Sequence, residues 1–193
     1  MDISPRYTDK DWRALDLTAN NEHDWQKGID IFVDRIQGRF LNIIEAIEQS
    51  GDTRVRLFSG FAIMGLDCLL IETLEQFRQG VEKTPKGKGG DHFEKFLTHY
   101  FHPDFDTARV KKFYKTIRCG ILHQAEILED SRIRIDYPQI VADSPTKKGL
   151  FINRKLFHRK LLEVFEGYVH ELREGKNLTL RENFKTKMNY ICR

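Results

Sequence analysis

Between Leu57 and Leu74 the chain is apolar on nearly every face of any helix drawn through it, with Asp67 its only charge before Glu72. A helix of that composition has no side to offer to water, so it belongs at the centre of a helical body. The segment from about Thr53 to Gln79 is therefore expected to be the central helix, with Gly80 as its terminator. Its most apolar run, Phe61 to Ile71, contains Asp67 and is too short to cross a bilayer. The N-terminus, Met1-Asp2-Ile3-Ser4-Pro5-Arg6, lacks the apolar stretch of a secretory signal. A cytoplasmic protein with no membrane partner is expected.

A second helix is expected before the central one, from a cap at Asp24 to about Gln49. Its apolar residues Trp25, Ile29, Phe32, Ile36, Phe40, Ile43 and Ile47 are spaced 4, 3, 4, 4, 3, 4, the stripe of an amphipathic helix. The short Ser50-Gly51-Asp52 link predicts that these two helices run antiparallel. Residues 1–23 show no long period and read as an N-terminal arm. After the central helix, residues 82–90 form a lysine- and glycine-rich connection whose lysines Lys83, Lys86 and Lys88 either face solvent or touch a nucleic-acid backbone. A short helix from Asp91 to about Tyr100 follows, burying Phe93, Phe96 and Leu97. Another is expected from about Asp106 to His123.

Beyond it, Ser131–Asp136 and Leu150–Asn153 alternate polar and apolar residues and predict a two-stranded hairpin lying against the helices. A long helix over about 153–174 and a final short one over about 180–191 close the chain. The expected fold is mainly all-α, an antiparallel helical bundle with a small β-hairpin, in one domain spanning 1–193: arm 1–23, core helices and motif 24–126, hairpin 127–152, C-terminal helices 153–193.

With 193 residues there is ample chain for one core. A formal charge of +3 permits a nucleic-acid partner without arguing for one. Three cysteines without a C-x-x-C pair point away from a disulfide framework or a structural zinc site. His92, His99 and His102 match no zinc spacing. Walker, dinucleotide and nucleophile-elbow patterns are missing from the sequence. Neither a metal nor a cofactor is expected.

The chemistry concentrates in Phe113-Tyr114-Lys115-Thr116-Ile117-Arg118-Cys119-Gly120-Ile121-Leu122-His123-Gln124-Ala125-Glu126. Val110, Phe113, Ile117 and Ile121 make its apolar side. Arginine holds a permanent charge that matches phosphate, and histidine moves protons near neutral pH. On an ideal helix Arg118 and His123 stand about 140° apart around the axis and about 7.5 Å along it, which does not make them neighbours. Either Gly120 and a frayed helix end relax that geometry, or two motif helices face each other across a two-fold axis.

Arg118-x-x-x-x-His123 near the end of a late helix resembles the signature of the HEPN superfamily. Glu72-Thr73-Leu74-Glu75-Gln76-Phe77, Phe113-Tyr114 and the residues through Glu126 widen the match, which covers most of the chain from about Phe58. The set resembles a single-domain branch found on plasmids and bacterial genomes. The resemblance implies a homodimer through the motif helix and a metal-independent endoribonuclease, an RNase toxin or a phage-defence or stress-related enzyme, with an antitoxin or regulatory protein as a further partner. In it the RNA 2′-hydroxyl attacks the adjacent phosphate, His123 moves the proton and Arg118 neutralises the phosphate. Glu72 or Glu126 would fix the Arg118 rotamer. Tyr114, four residues before Arg118, would orient the guanidinium or stack on a base, and Lys111 and Lys115 would bind neighbouring phosphates.

The alternative is a non-catalytic HEPN module, a dimeric scaffold for RNA or protein. Cys119 favours it, because active members usually carry Asn, Asp or His after the arginine. A purely structural role is also open, with Arg118 as an ion-pair partner and His123 as a helix C-cap.

Overall fold

The structure, a computed structural model, describes every residue except Ala19, which falls in the expected N-terminal arm. It is mainly helical with one small sheet. The helices are α1 (Asp9–Arg13), α2 (Glu22–Ile36), α3 (Asn42–Glu48), α4 (Thr53–Phe58), α5 (Gly60–Gln79), α6 (Gly89–Tyr100), α7 (Thr107–Lys112), α8 (Cys119–Gln124), α9 (Arg154–Glu174) and α10 (Leu178–Ile191). Two π-helical segments, Gln37–Leu41 and Phe113–Arg118, join α2 to α3 and α7 to α8. No described helix is long and apolar enough to cross a membrane.

The described residues form two compact units. One holds residues 1–46, 76–83 and 165–193. Its centre is Phe32, whose ring lies 4.6 Å from Phe77, 5.4 Å from Phe184 and 5.8 Å from Tyr168. Arg181 is buried there and forks onto Glu22 at 2.7 and 2.8 Å, with its guanidinium 4.8 Å above Trp25. The start of α2 differs from the expected one. Asn21 is the cap, taking the Asp24 N–H on its side chain. The apolar stripe also changes step. The π segment inserts one residue per turn, so Ile44 is buried where the unbroken period placed Ile43, which is 43% exposed.

The second unit, residues 47–75 and 84–164, carries the motif. Its core is aromatic: Phe113 stacks on Phe157 at 5.4 Å and meets Phe105 edge-on at 5.6 Å, and Phe101 lies 4.8 Å from Phe157. Phe93, Phe96 and Leu97 are buried as α6 was expected to bury them. That helix starts two residues earlier than expected, at Gly89. The central helix is interrupted at Ser59, giving α4 and α5, and its first turns are not buried: Leu57 is 53% and Phe58 83% exposed.

The hairpin takes a different form from the one expected. The two alternating stretches do pair, Arg132–Arg134 (β1) with Leu150–Asn153 (β3), but in parallel. The antiparallel partner of β3 is Val141–Asp143 (β2), in the segment expected to be the turn, and the strand order is β1-β3-β2. A parallel pair requires a long crossover, and residues 135–149 are long enough to run back and add β2 on the far edge of β3. Gly149 passes so close to Ser131 that a β-carbon there would collide with the Ser131 backbone N–H.

Candidate functional site: an arginine–histidine–glutamate cluster

The motif helix is assembled from three pieces. Asp106 caps α7 by accepting the Arg109 N–H, the π segment carries Phe113, Tyr114, Thr116, Ile117 and Arg118, and α8 carries Cys119 to Gln124. Val110, Phe113 and Ile117 point into the core as their spacing required. The helix ends at Ala125, a non-glycine residue in the left-handed region at φ 52°. From there the chain folds back, with the Glu126 N–H on the Gly120 carbonyl at 3.2 Å. A β-carbon on Gly120 would meet the Glu126 carbonyl, so only glycine admits this reversal.

The structure brings Arg118 and His123 together in one chain: Arg118 Nη1 lies 3.1 Å from His123 Nε2. The ideal-helix estimate of two separated groups is corrected. It counted where the side chains leave the backbone. Helical side chains lean toward the N-terminus, which returns His123 toward Arg118, and the arginine's length covers the rest. Because a guanidinium can only donate, Nε2 accepts in this arrangement and carries the lone pair, leaving the proton on Nδ1. The imidazole is on the exposed side of α8.

Glu72, on α5, accepts from Arg118 Nη2 at 3.0 Å, with both side chains mostly covered (15% and 19% exposed). The Tyr114 ring lies 5.3 Å from the guanidinium carbon. Burial works against the Arg118 charge, but Glu72 together with Tyr114 and Cys119 offsets it and holds the guanidinium pKa above its ordinary value. Burial also pushes the Tyr114 phenol up. The cluster thus presents a locked cation with an imidazole nitrogen facing it.

The other expected residues are elsewhere. Glu126 is exposed and its carboxylate takes the Ile127 N–H at 2.8 Å; it is Glu72, not Glu126, that holds Arg118. Lys115 is paired with Glu129 at 2.9 Å. Lys111 is exposed on the motif helix, and its neighbours Arg109 and Lys112 converge on Asp143. Among the described residues no group of histidines, cysteines and carboxylates could hold a metal ion.

Sequence reasoning missed two relationships. Asp67, fully buried on α5, is met by His158 Nδ1 on α9 at 2.7 Å, while its Oδ2 has no partner. An aspartate inside an apolar run signalled a partner, but nothing in the order of residues named a histidine so far along the chain. The other is Gly89, where a β-carbon would meet the Tyr114 hydroxyl. The glycine run of the 82–90 connection is thus in part a seat for that tyrosine. No family model, no curated protein and no solved structure matches this chain.

Proposed function

We propose that this chain is a metal-independent endoribonuclease of the HEPN type, acting as a homodimer in a toxin, phage-defence or stress setting. The observation that carries the reading is the contact of Arg118 with His123, with Glu72 fixing the arginine from the facing helix. When an RNA phosphate takes the guanidinium, the His123 lone pair is released to remove the 2′-hydroxyl proton. The 2′-oxygen then bonds to phosphorus, the bond to the 5′-oxygen breaks, and an imidazolium supplies the proton that the leaving oxygen needs. The products are a 2′,3′-cyclic phosphate and a 5′-hydroxyl. RNA carries its own nucleophile, so the step asks nothing of a metal.

A second copy supplies the other imidazole if the motif helices meet across a two-fold axis. The surface beside the cluster suits that arrangement. Ala62, Gly65 and Leu69 follow each other along α5 at helical spacing, Ala62 exposed and Leu69 43% exposed, and Leu122 of α8 is 36% exposed. A β-carbon at Gly65 would stand 3.8 Å from Leu122, which places that leucine beside the same stripe.

One observation favours a different reading, a non-catalytic dimeric scaffold that binds RNA or a protein such as an antitoxin. Arg118 already has a carboxylate, an imidazole and an aromatic ring around it, as a purely structural arginine would. Cleavage of a mixed RNA pool with end-group determination separates the two. The nuclease yields cyclic phosphates in the presence of EDTA, and His123→Ala and Arg118→Ala do not. Equal RNA decay with all three proteins rejects the nuclease.

A further inference from the structure

Beside the end of the motif lies an open groove of about 510 Å³ that the cluster does not use. Its apolar side is the junction of α4 and α5, with Leu57, Phe58 and Phe61. The opposite side is β1 with Arg132, and Glu126 stands at the rim. Phe58 is 83% exposed, which is unfavourable for a phenyl ring in water, and Leu57 and Phe61 extend the same surface. β1 is an edge strand, so one row of its backbone groups is not taken by another strand. Arg132 lies 5.9 Å over the Phe151 ring of β3, and no carboxylate pairs with it among the described residues.

We infer that this groove is a nucleobase subsite for single-stranded RNA, in which a base stacks on Phe58 and Arg132 takes the adjoining phosphate. This deepens the ribonuclease reading and rests on it. The chemistry fits the occupant. An exposed aromatic face beside an uncompensated guanidinium is what an unstacked nucleotide needs, one part for the base and the other for its charge. Strand-edge amides and the Glu126 carboxylate offer acceptors and donors to the base edge. A purely apolar partner would leave the Arg132 charge unanswered. The groove is also correctly placed to extend the site: Phe61 and Glu72 are on one helix, eleven residues apart, which is about 16 Å along the axis. A strand whose scissile phosphate sits at Arg118 therefore runs along α5 toward Phe58.

The test is binding of a labelled single-stranded RNA carrying 2′-O-methyl groups throughout, which cannot be cut by 2′-oxygen attack. Titrations on wild type, Phe58→Ala, Phe58→Trp, Arg132→Ala and Arg118→Ala are followed by fluorescence anisotropy at several salt concentrations, with sedimentation of each protein alone. Phe58→Ala should weaken binding roughly five- to a hundredfold, the loss of one stacked base, while Phe58→Trp keeps wild-type affinity. Arg132→Ala should weaken binding and lower the salt slope by about one. Wild-type affinity in both Phe58→Ala and Arg132→Ala, with Arg118→Ala impaired, overturns the groove and leaves the ribonuclease reading standing. If Phe58→Ala turns a dimer into a monomer and keeps its affinity for RNA, a second copy occupies the groove and the inference is wrong. Absence of RNA binding by the wild-type protein overturns both.

Discussion

Arg118 donates to Glu72 at 3.0 Å while its other terminal nitrogen faces His123 at 3.1 Å, so one guanidinium joins a mostly covered carboxylate to an exposed imidazole. The two neighbours have unequal jobs. Glu72 satisfies the charge that burial would otherwise penalise, and His123 is held only by a contact that a phosphate can replace.

Replacing His123 should therefore cost function without costing fold. An exposed side chain away from the core changes stability by no more than about 0.5 kcal/mol, whereas loss of a proton-transferring group lowers the rate about 10²- to 10⁴-fold. Urea unfolding of His123→Ala alongside its RNA cleavage rate checks both halves. A large loss of stability would mean that the imidazole is a structural cap.

Glu72→Gln should show the opposite balance. The amide still accepts a hydrogen bond from Arg118 but no longer neutralises it, in surroundings that cover most of both side chains. We expect a loss of about 1–3 kcal/mol in unfolding free energy, with cleavage reduced less than in Arg118→Ala. Unchanged stability would show that solvent already screens the pair.

The Asp67–His158 pair predicts a pH dependence. Burial raises the Asp67 carboxyl pKa, and the His158 contact offsets this in part. A carboxyl raised in the folded state helps folding below its unfolded value of about 3.9 and loses that contribution as pH climbs through the folded value. Asp67→Asn cannot ionise. Its stability relative to wild type should rise as pH increases above about 4, read from urea midpoints across the range. A difference that is flat with pH would refute the assignment.

The end of α8 offers a backbone test. Ala125 sits at φ 52°, a conformation that glycine adopts without steric cost. Ala125→Gly should stabilise by up to about 1 kcal/mol, after allowing for the freer unfolded chain. Gly120→Ala should do the reverse, because its methyl would push against the Glu126 carbonyl and move the segment that follows His123. Thermal unfolding of the two variants gives the signs.

Dimerisation through the α5 stripe predicts that Leu69→Lys lowers self-association. The side chain is 43% exposed, so a lysine there should leave the protomer folded. Sedimentation at several concentrations, with circular dichroism to confirm folding, distinguishes a broken interface from a surface never used.

The order of residues determined much of the helical scaffold, because apolar spacing is a local property that survives any packing. Val110, Phe113 and Ile117 face inward as their period demands, and Phe93, Phe96 and Leu97 do the same on α6. Glu72 was recognisable only as one of two carboxylates, with Glu126, available to Arg118, and Tyr114 as a ring on the arginine's face; the tertiary structure chose Glu72. Tertiary structure decided the rest, wherever the outcome depended on groups far apart in the chain or on a single inserted residue. The π segment moved burial from Ile43 to Ile44, and β2 inserted itself into a segment that read as a turn. The approach of His123 to Arg118 was likewise hidden. A helical wheel records where a side chain departs, while its end point is set by length, lean and the carboxylate that draws it across to the neighbouring helix.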